Sequence, residues 1–270
     1  MTSNGQDNEK SLVDYRREGH TAYLTLARPE KMNAFNDQMV LDLREALTRF
    51  DRDRDAFVAV LHGDGRCFST GADVQQRQLR SREEIEDFGG PEPPYARWGD
   101  LMYEAVNWKP VIAAVHGYVL GMALGLVCQC DLVVAADTTR FQITEIPRGL
   151  HGSRYWALLQ YRGAGAFADE VALTGRYFTG QEASDAGILT RVVPEGAQLE
   201  QATELARLVA ANPPLAVRAN VRARRWHLKN HEEQFAVFRS GQPALHLTED
   251  FLESATAFAE RRPPRPYQAR

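Results

Sequence analysis

A chain of 270 residues, 44% hydrophobic and 25% charged, has the composition of a globular protein and is long enough to bury one large core. Its net charge of −4 gives no basic footprint for nucleic acid, and no apolar run approaches the roughly 18 residues that span a bilayer. Three cysteines, Cys67, Cys128 and Cys130, suit neither a disulfide framework nor a zinc site and are expected to be buried thiols in a reducing cytoplasm.

The polar residues 1–11 read as a disordered leader without a signal-peptide core. Apolar alternation over 13–26, broken at Glu18-Gly19-His20, predicts a hairpin. Pro29 ends it and opens a loop that runs to Ala34. Asn36 or Asp37 then caps a helix whose apolar face is Val40, Leu41, Leu43, Ala46, Leu47 and Phe50. A strand at 57–61 runs into a turn at 62–66 and on to Cys67-Phe68-Ser69-Thr70-Gly71-Ala72-Asp73. Residues 75–100 are polar and end in GGPEPP, which fits either a mobile flap over a site or a solvated excursion. A helix is predicted at 101–108.

Residues 109–149 combine the features that suggest chemistry. Val111-Ile112-Ala113-Ala114-Val115 predicts a buried strand, followed by a turn at 116–118 and a buried helix beginning at Gly121. A helix that starts at a glycine presents free N–H groups and the positive end of its dipole, which suit developing negative charge. A second buried strand at 132–136 leads to Glu145, a carboxylate able to return to that helix start. Beyond Gly149, helices are predicted at 155–161, 164–174, 181–186, 199–211, 215–228, 232–239 and 248–260, with a strand at 188–193. The prolines of RRPPRPYQAR end the last helix.

Five blocks in order resemble the crotonase family, the enoyl-CoA hydratase/isomerase superfamily. They are RPEKMNAF at 28–35, GRCFSTGAD at 65–73, the run from KPVIAAVHGYVLGMA to Glu145 at 109–145, ALTGRYFTGQEASDAGILTRVVP at 172–194 and EDFLESATAFAERRPP at 249–264. The resemblance implies an α/β fold, a spiral of ββα units with a C-terminal helical region that drives trimer formation. It implies a core over 12–197, a helical region over 198–264 and a tail at 265–270. It also implies an acyl-CoA substrate, with coenzyme A as part of the substrate and no tightly bound cofactor. The expected assembly is a homotrimer, or a hexamer as a dimer of trimers, in the cytoplasm, without nucleic-acid or membrane partners.

By the same resemblance, the main-chain amides of Ala72 and Met122 form an oxyanion hole for a thioester enolate, and Glu145 is the catalytic base. Lys31, Ala34 and Asp73, with Phe258 and Arg261 near the C-terminus, are expected along coenzyme A. Solvated surface charge is the competing reading for Lys31 and Arg261. Two positions depart from the family pattern. Its hydratases carry a first glutamate three residues after the second amide, on the same helix face, and that position here is the vacant Gly125. Their glycine-rich loop after the second glutamate is replaced by Gly149-Leu150-His151-Gly152-Ser153-Arg154-Tyr155. One base suffices for an isomerase-like proton shuttle. Two other readings stay open: hydrolysis or retro-Claisen cleavage of a cyclic keto-acyl-CoA using His151 or a flap residue, and a non-catalytic CoA-binding oligomer. Ser69 and Thr70 have no Ser-His-Asp order around them.

Overall fold

The computed structural model describes residues 11–88, 92–96, 108–233 and 242–270. Nearly all of the leader, the predicted 101–108 helix and most of the 232–239 helix lie outside the described residues. The strands are β1 (Val13–Glu18), β2 (Thr21–Leu26), β3 (Val58–Gly63), β4 (Val111–Val115), β5 (Tyr118–Leu120), β6 (Leu132–Ala136), β7 (Arg140–Gln142), β8 (Phe178–Thr179) and β9 (Arg191–Val193). The helices are α1 (Asp37–Arg52), α2 (Arg82–Phe88), α3 (Met122–Gln129), α4 (Ser153–Tyr161), α5 (Gly165–Thr174) and α6 (Gly180–Asp185). They continue with α7 (Gln198–Ala210), α8 (Pro214–Glu233), α9 (Gln242–Leu245) and α10 (Glu249–Ala259).

Six strands form one sheet in the order β1-β2-β3-β4-β6-β9, and β5-β7-β8 form a smaller second sheet. Only the β1–β2 pair of the large sheet is antiparallel; its other pairings are parallel. The parallel strands read as continuous apolar runs because both faces of the sheet are covered. Leu24, Leu61, Ala113 and Val133 point into the main core with α1, α3 and α4. Their chain neighbours Tyr23, Val60, Ile112 and Val134 pack under Ala202, Leu205 and Ala206 of α7.

The chain alternates between sheets by short turns. It leaves β4 at Gly117, whose φ of +61° and close approach to the Arg66 carbonyl leave no room for a Cβ, and enters the small sheet as β5. Helix α3 follows, then β6 in the large sheet and β7 in the small one. The predicted turn at 116–118 thus ends a residue early, and Tyr118 is already strand.

Helix α1 starts where the cap predicted, with the Met39 N–H donating to Asn36 Oδ1 at 2.8 Å. Of its predicted apolar face only Leu41 stays partly exposed. The polar stretch after Asp73 is tied to the body at its start, while α2 beyond it is largely solvated, as the excursion reading expected. Val74–Gln78 forms a π-helical turn, and Arg77 and Arg80 both donate to the Asp37 carboxylate of α1, at 2.7 and 2.6 Å. Arg77 is 3% exposed and also pairs with Glu92. Two buried guanidiniums sharing one carboxylate tie this segment to the body, because separating them would strand buried charge.

Candidate active site

The first wall of the site is a main-chain construction. Asn33, fully buried, accepts the Arg28 N–H and donates to the carbonyls of Asp64 and Cys67 at 2.8 and 3.0 Å, which locks the 28–35 loop onto the turn after β3. Ser69 Oγ donates to the Asn33 carbonyl at 2.7 Å and accepts the Gly71 N–H at 3.1 Å, so this hydroxyl is structural. A parallel bridge then joins Phe35 to Ala72, using the Gly71 carbonyl and the Asp73 N–H. In such a bridge the intervening residue's own amide points away from the partner, which leaves the Ala72 N–H on the open side.

A second bridge, Ser69 to Val119, holds this segment against β5. Gly71, at φ +85°, passes so close to β5 that a Cβ would lie 2.5 Å from the Leu120 carbonyl and 3.4 Å from the Met122 nitrogen. The two expected donors are therefore brought together across this contact. Met122 is the first residue of α3, a position whose amide has no intrahelical partner. Its side chain is buried in the main core, not set against the cavity, so its bulk does not narrow that space.

Glu145 returns to the same point. A Cβ on Gly121, which caps α3 at φ +48°, would meet Thr144 Oγ1 at 2.4 Å and the two Glu145 carboxylate oxygens at 3.1 and 3.5 Å. Only glycine admits the carboxylate this close to the helix start. The Glu145 carbonyl accepts the N–H groups of Arg148 and Leu150, which fixes the turn beneath the carboxylate. Ser254 Oγ on α10 and Tyr267 Oη both donate to the Pro147 carbonyl, bracing that turn from the C-terminal segment.

Burial raises the Glu145 carboxyl above the ordinary carboxylate range, because desolvation disfavours the charged form. The nearby Tyr155 phenol, the charge of Arg148 and the Thr144 hydroxyl oppose that rise. Tyr155 and Arg148 are the residues that sequence reasoning missed. No periodicity marks them, and the only signal was that Tyr155 stands in a loop where relatives carry glycines. Gly125 is buried in the middle of α3 and contributes no side chain. His151 has its Nδ1 2.6 Å from Ser153 Oγ, while its buried Nε2 has no hydrogen-bond partner among the described residues, and burial lowers its pKa.

Beside these groups lies a cavity of about 590 Å³. Its walls include Lys31, Ala34, Ala72, Asp73, Phe258 and Arg261, which the fold gathers from both ends of the chain. Leu120, Thr144 and Arg148 belong to the same lining, and the Arg148 guanidinium lies 4.3 Å from the Phe258 ring centre. The Asp73 carboxylate is already committed: it accepts from Arg28 at 2.7 Å and from the Gln76 N–H. Glu145, Met122, Gly125 and His151 are not among the lining residues; Thr144, which lies against Gly121 and donates to Glu145, carries the wall to the carboxylate.

Sequence and structure comparisons agree on the lineage. The family model for enoyl-CoA hydratase/isomerase matches residues 16–269. An enoyl-CoA hydratase of Mycobacterium tuberculosis is 32% identical over 254 residues, covering 92% of this chain and 93% of that one. The 2,3-dehydroadipyl-CoA hydratase of Escherichia coli K12 is 32% identical over 256 residues, covering 92% and 95%. Among solved structures, a carnitinyl-CoA dehydratase from Mycobacterium avium superposes with a TM-score of 0.80 at 29% identity, over 97% of this chain and all of the other. The chain belongs to the enoyl-CoA hydratase/isomerase family, whose members act on coenzyme A thioesters.

Proposed function

We propose that the protein is an acyl-CoA enzyme that moves a proton through a thioester enolate, with Glu145 as its single base and the amides of Ala72 and Met122 as enolate donors. The observation that carries this reading is the contact of the Glu145 carboxylate with Gly121, directly before the Met122 amide, while Gly125 leaves α3 without a second carboxylate. For a 3-enoyl-CoA, the carboxylate takes a proton from C2, and the electron pair passes into the thioester carbonyl, whose oxygen is held by the two amides. The carboxylic acid then returns the proton to C4, giving the conjugated 2-enoyl-CoA with no change in composition. One such amide contributes about 2.7–4 kcal/mol to the transition state.

Coenzyme A is read along the cavity, with Lys31 and Arg261 toward its phosphates and Ala34, Asp73 and Phe258 beside its nucleotide. Asp73 would act there through its backbone, since its carboxylate is held by Arg28. The assembly is a homotrimer, or a dimer of trimers, in the cytoplasm; the exposed Leu173, Leu215 and Trp226 supply apolar surface for subunit packing. Sedimentation of the purified chain tests this.

The activity is tested by supplying 3-enoyl-CoA and 2-enoyl-CoA and following the conjugated thioester by absorbance. Turnover of the 3-enoyl substrate that is lost in Glu145→Gln supports the reading; unchanged turnover in that variant removes Glu145 as base. The unpartnered Nε2 of His151 favours a second reading, in which the neutral imidazole activates water for hydrolytic cleavage. With a cyclic keto-acyl-CoA, conversion to the open-chain carboxyacyl-CoA, water adding across the broken C–C bond, that is lost in His151→Gln would replace the isomerase reading.

A further inference from the structure

Arg148 closes the turn that carries Glu145. Its N–H donates to the Glu145 carbonyl at 3.0 Å, and the residue lines the cavity. The guanidinium is held from two directions. Nη1 donates to Gln78 Oε1 at 2.7 Å, and the guanidinium carbon stands 4.3 Å from the Phe258 ring centre. Gln78 ends the π-helical turn whose Arg77 is paired with Asp37 of α1, so this anchor is itself fixed. Both partners of the guanidinium are neutral. Among the described residues no carboxylate pairs with Arg148, and its Nε and Nη2 donate to no acceptor.

The charges around it leave a place for an anion. Among the described residues, the cavity lining carries the cations Lys31, Arg148 and Arg261 and the acid Asp73, whose carboxylate is already held by Arg28. Burial weighs against the Arg148 charge, and the Glu145 carboxylate opposes this only in part. A half-buried guanidinium braced through Nη1 and its face keeps a planar Nε–Nη2 edge of N–H donors, which matches both oxygens of a carboxylate.

We propose that Arg148 is a specificity-determining residue whose open edge binds a carboxylate on the acyl chain, so that the substrates are coenzyme A monothioesters of dicarboxylic acids. This deepens the function proposed above and rests on it. With the reacting carbons at Glu145, the acyl chain passes a guanidinium that is one turn further along the chain. Lys31 and Arg261, read toward the coenzyme A phosphates, stand on the 28–35 loop and after α10, whereas Arg148 is part of the turn that carries the base.

Saturated thioesters separate recognition from turnover. At neutral pH and fixed ionic strength, calorimetry compares glutaryl-CoA with pentanoyl-CoA and adipyl-CoA with hexanoyl-CoA, pairs equal in carbon number. For at least one pair, wild type should bind the carboxylate-bearing member about tenfold or more tightly, the scale of hydrogen bonds to a charged group. Arg148→Met, similar in length and uncharged, should erase that preference and leave the affinity for free coenzyme A unchanged. Arg148→Lys, which keeps the charge but not the planar fork, should retain part of it. Equal or weaker binding of the dicarboxylic thioesters by wild type, at both lengths, overturns the proposal without recourse to a variant. So does a preference that survives in Arg148→Met. An equal loss of affinity for free coenzyme A and every thioester in that variant also overturns it, since the guanidinium would then hold a phosphate. The base reading fails separately, if Glu145→Gln retains turnover; the binding preference does not depend on that outcome.

Discussion

The site has two sides built on different principles. One is made of backbone: the Ala72 and Met122 amides, set by Asn33, Ser69 and two β-bridges. The other is made of side chains, Glu145 and Thr144, with nothing at Gly125. A main-chain donor survives replacement of its own side chain, so Met122 can be a core residue and still present its amide. A side-chain wall changes whenever a residue does. On the reading proposed above, family membership is written on the first side, and the reaction is decided on the second.

The sharpest way to break this contrast is Glu145→Gln. Turnover should fall by about 10²- to 10⁴-fold, the range of a lost acid–base group. The same variant should gain stability. Burial raises the Glu145 carboxyl, so the folded state holds its proton more strongly than the unfolded state, and stability is lost as pH rises through the raised value. At neutral pH Glu145→Gln should accordingly melt at a higher temperature than wild type. The gap should close as pH falls to where the carboxyl is protonated in both states. A lower melting temperature at neutral pH would contradict the burial account.

Gly71→Ala attacks the other side. The new methyl would sit 2.5 Å from the Leu120 carbonyl at a positive φ, forcing the Ala72 segment away from β5. Loss of one aligned donor predicts a fall of about 10²- to 10³-fold in kcat, with binding of free coenzyme A retained by calorimetry. Near-normal kcat would mean that the Ala72 amide is not a donor. The smallest effect is expected for Met122→Leu, a swap of similar volume in a well-packed core. It should cost under about 1.5 kcal/mol in denaturant unfolding and leave kcat near wild type. A large loss of kcat would show that the thioether, and not only the amide, takes part.

Much of the fold was legible in the chain. The hairpin, α1 with its Asn36 cap, the buried strands of the large sheet, α7 and α10 were marked by periodicity, caps and breakers, whereas α8 runs through the predicted break after Leu228 and α9 was not foreseen. The small sheet was not: β5, β7 and β8 run for only three, three and two residues, too short for an alternation to register. The polar stretch after Asp73 misled only at its start. Its charge suggested solvent, which holds for most of α2, but Arg77 and Arg80 are buried on Asp37, some forty residues earlier in the chain.

For the site, the sequence by itself determined which groups are available: two amides beside glycines, one glutamate, and a missing second one at Gly125. Local rules gave only the helix start at Gly121 and a carboxylate able to return to it; the donor pair and the missing glutamate at Gly125 came from the family resemblance. Only the tertiary structure decided that the Glu145 carboxylate lies against Gly121, that Thr144 joins it to the cavity wall, and that Arg148 stacks on Phe258. Those contacts join separate elements whose spacing in the chain carries no period, so they are set by how α3, α4 and α10 pack around the turn at Glu145.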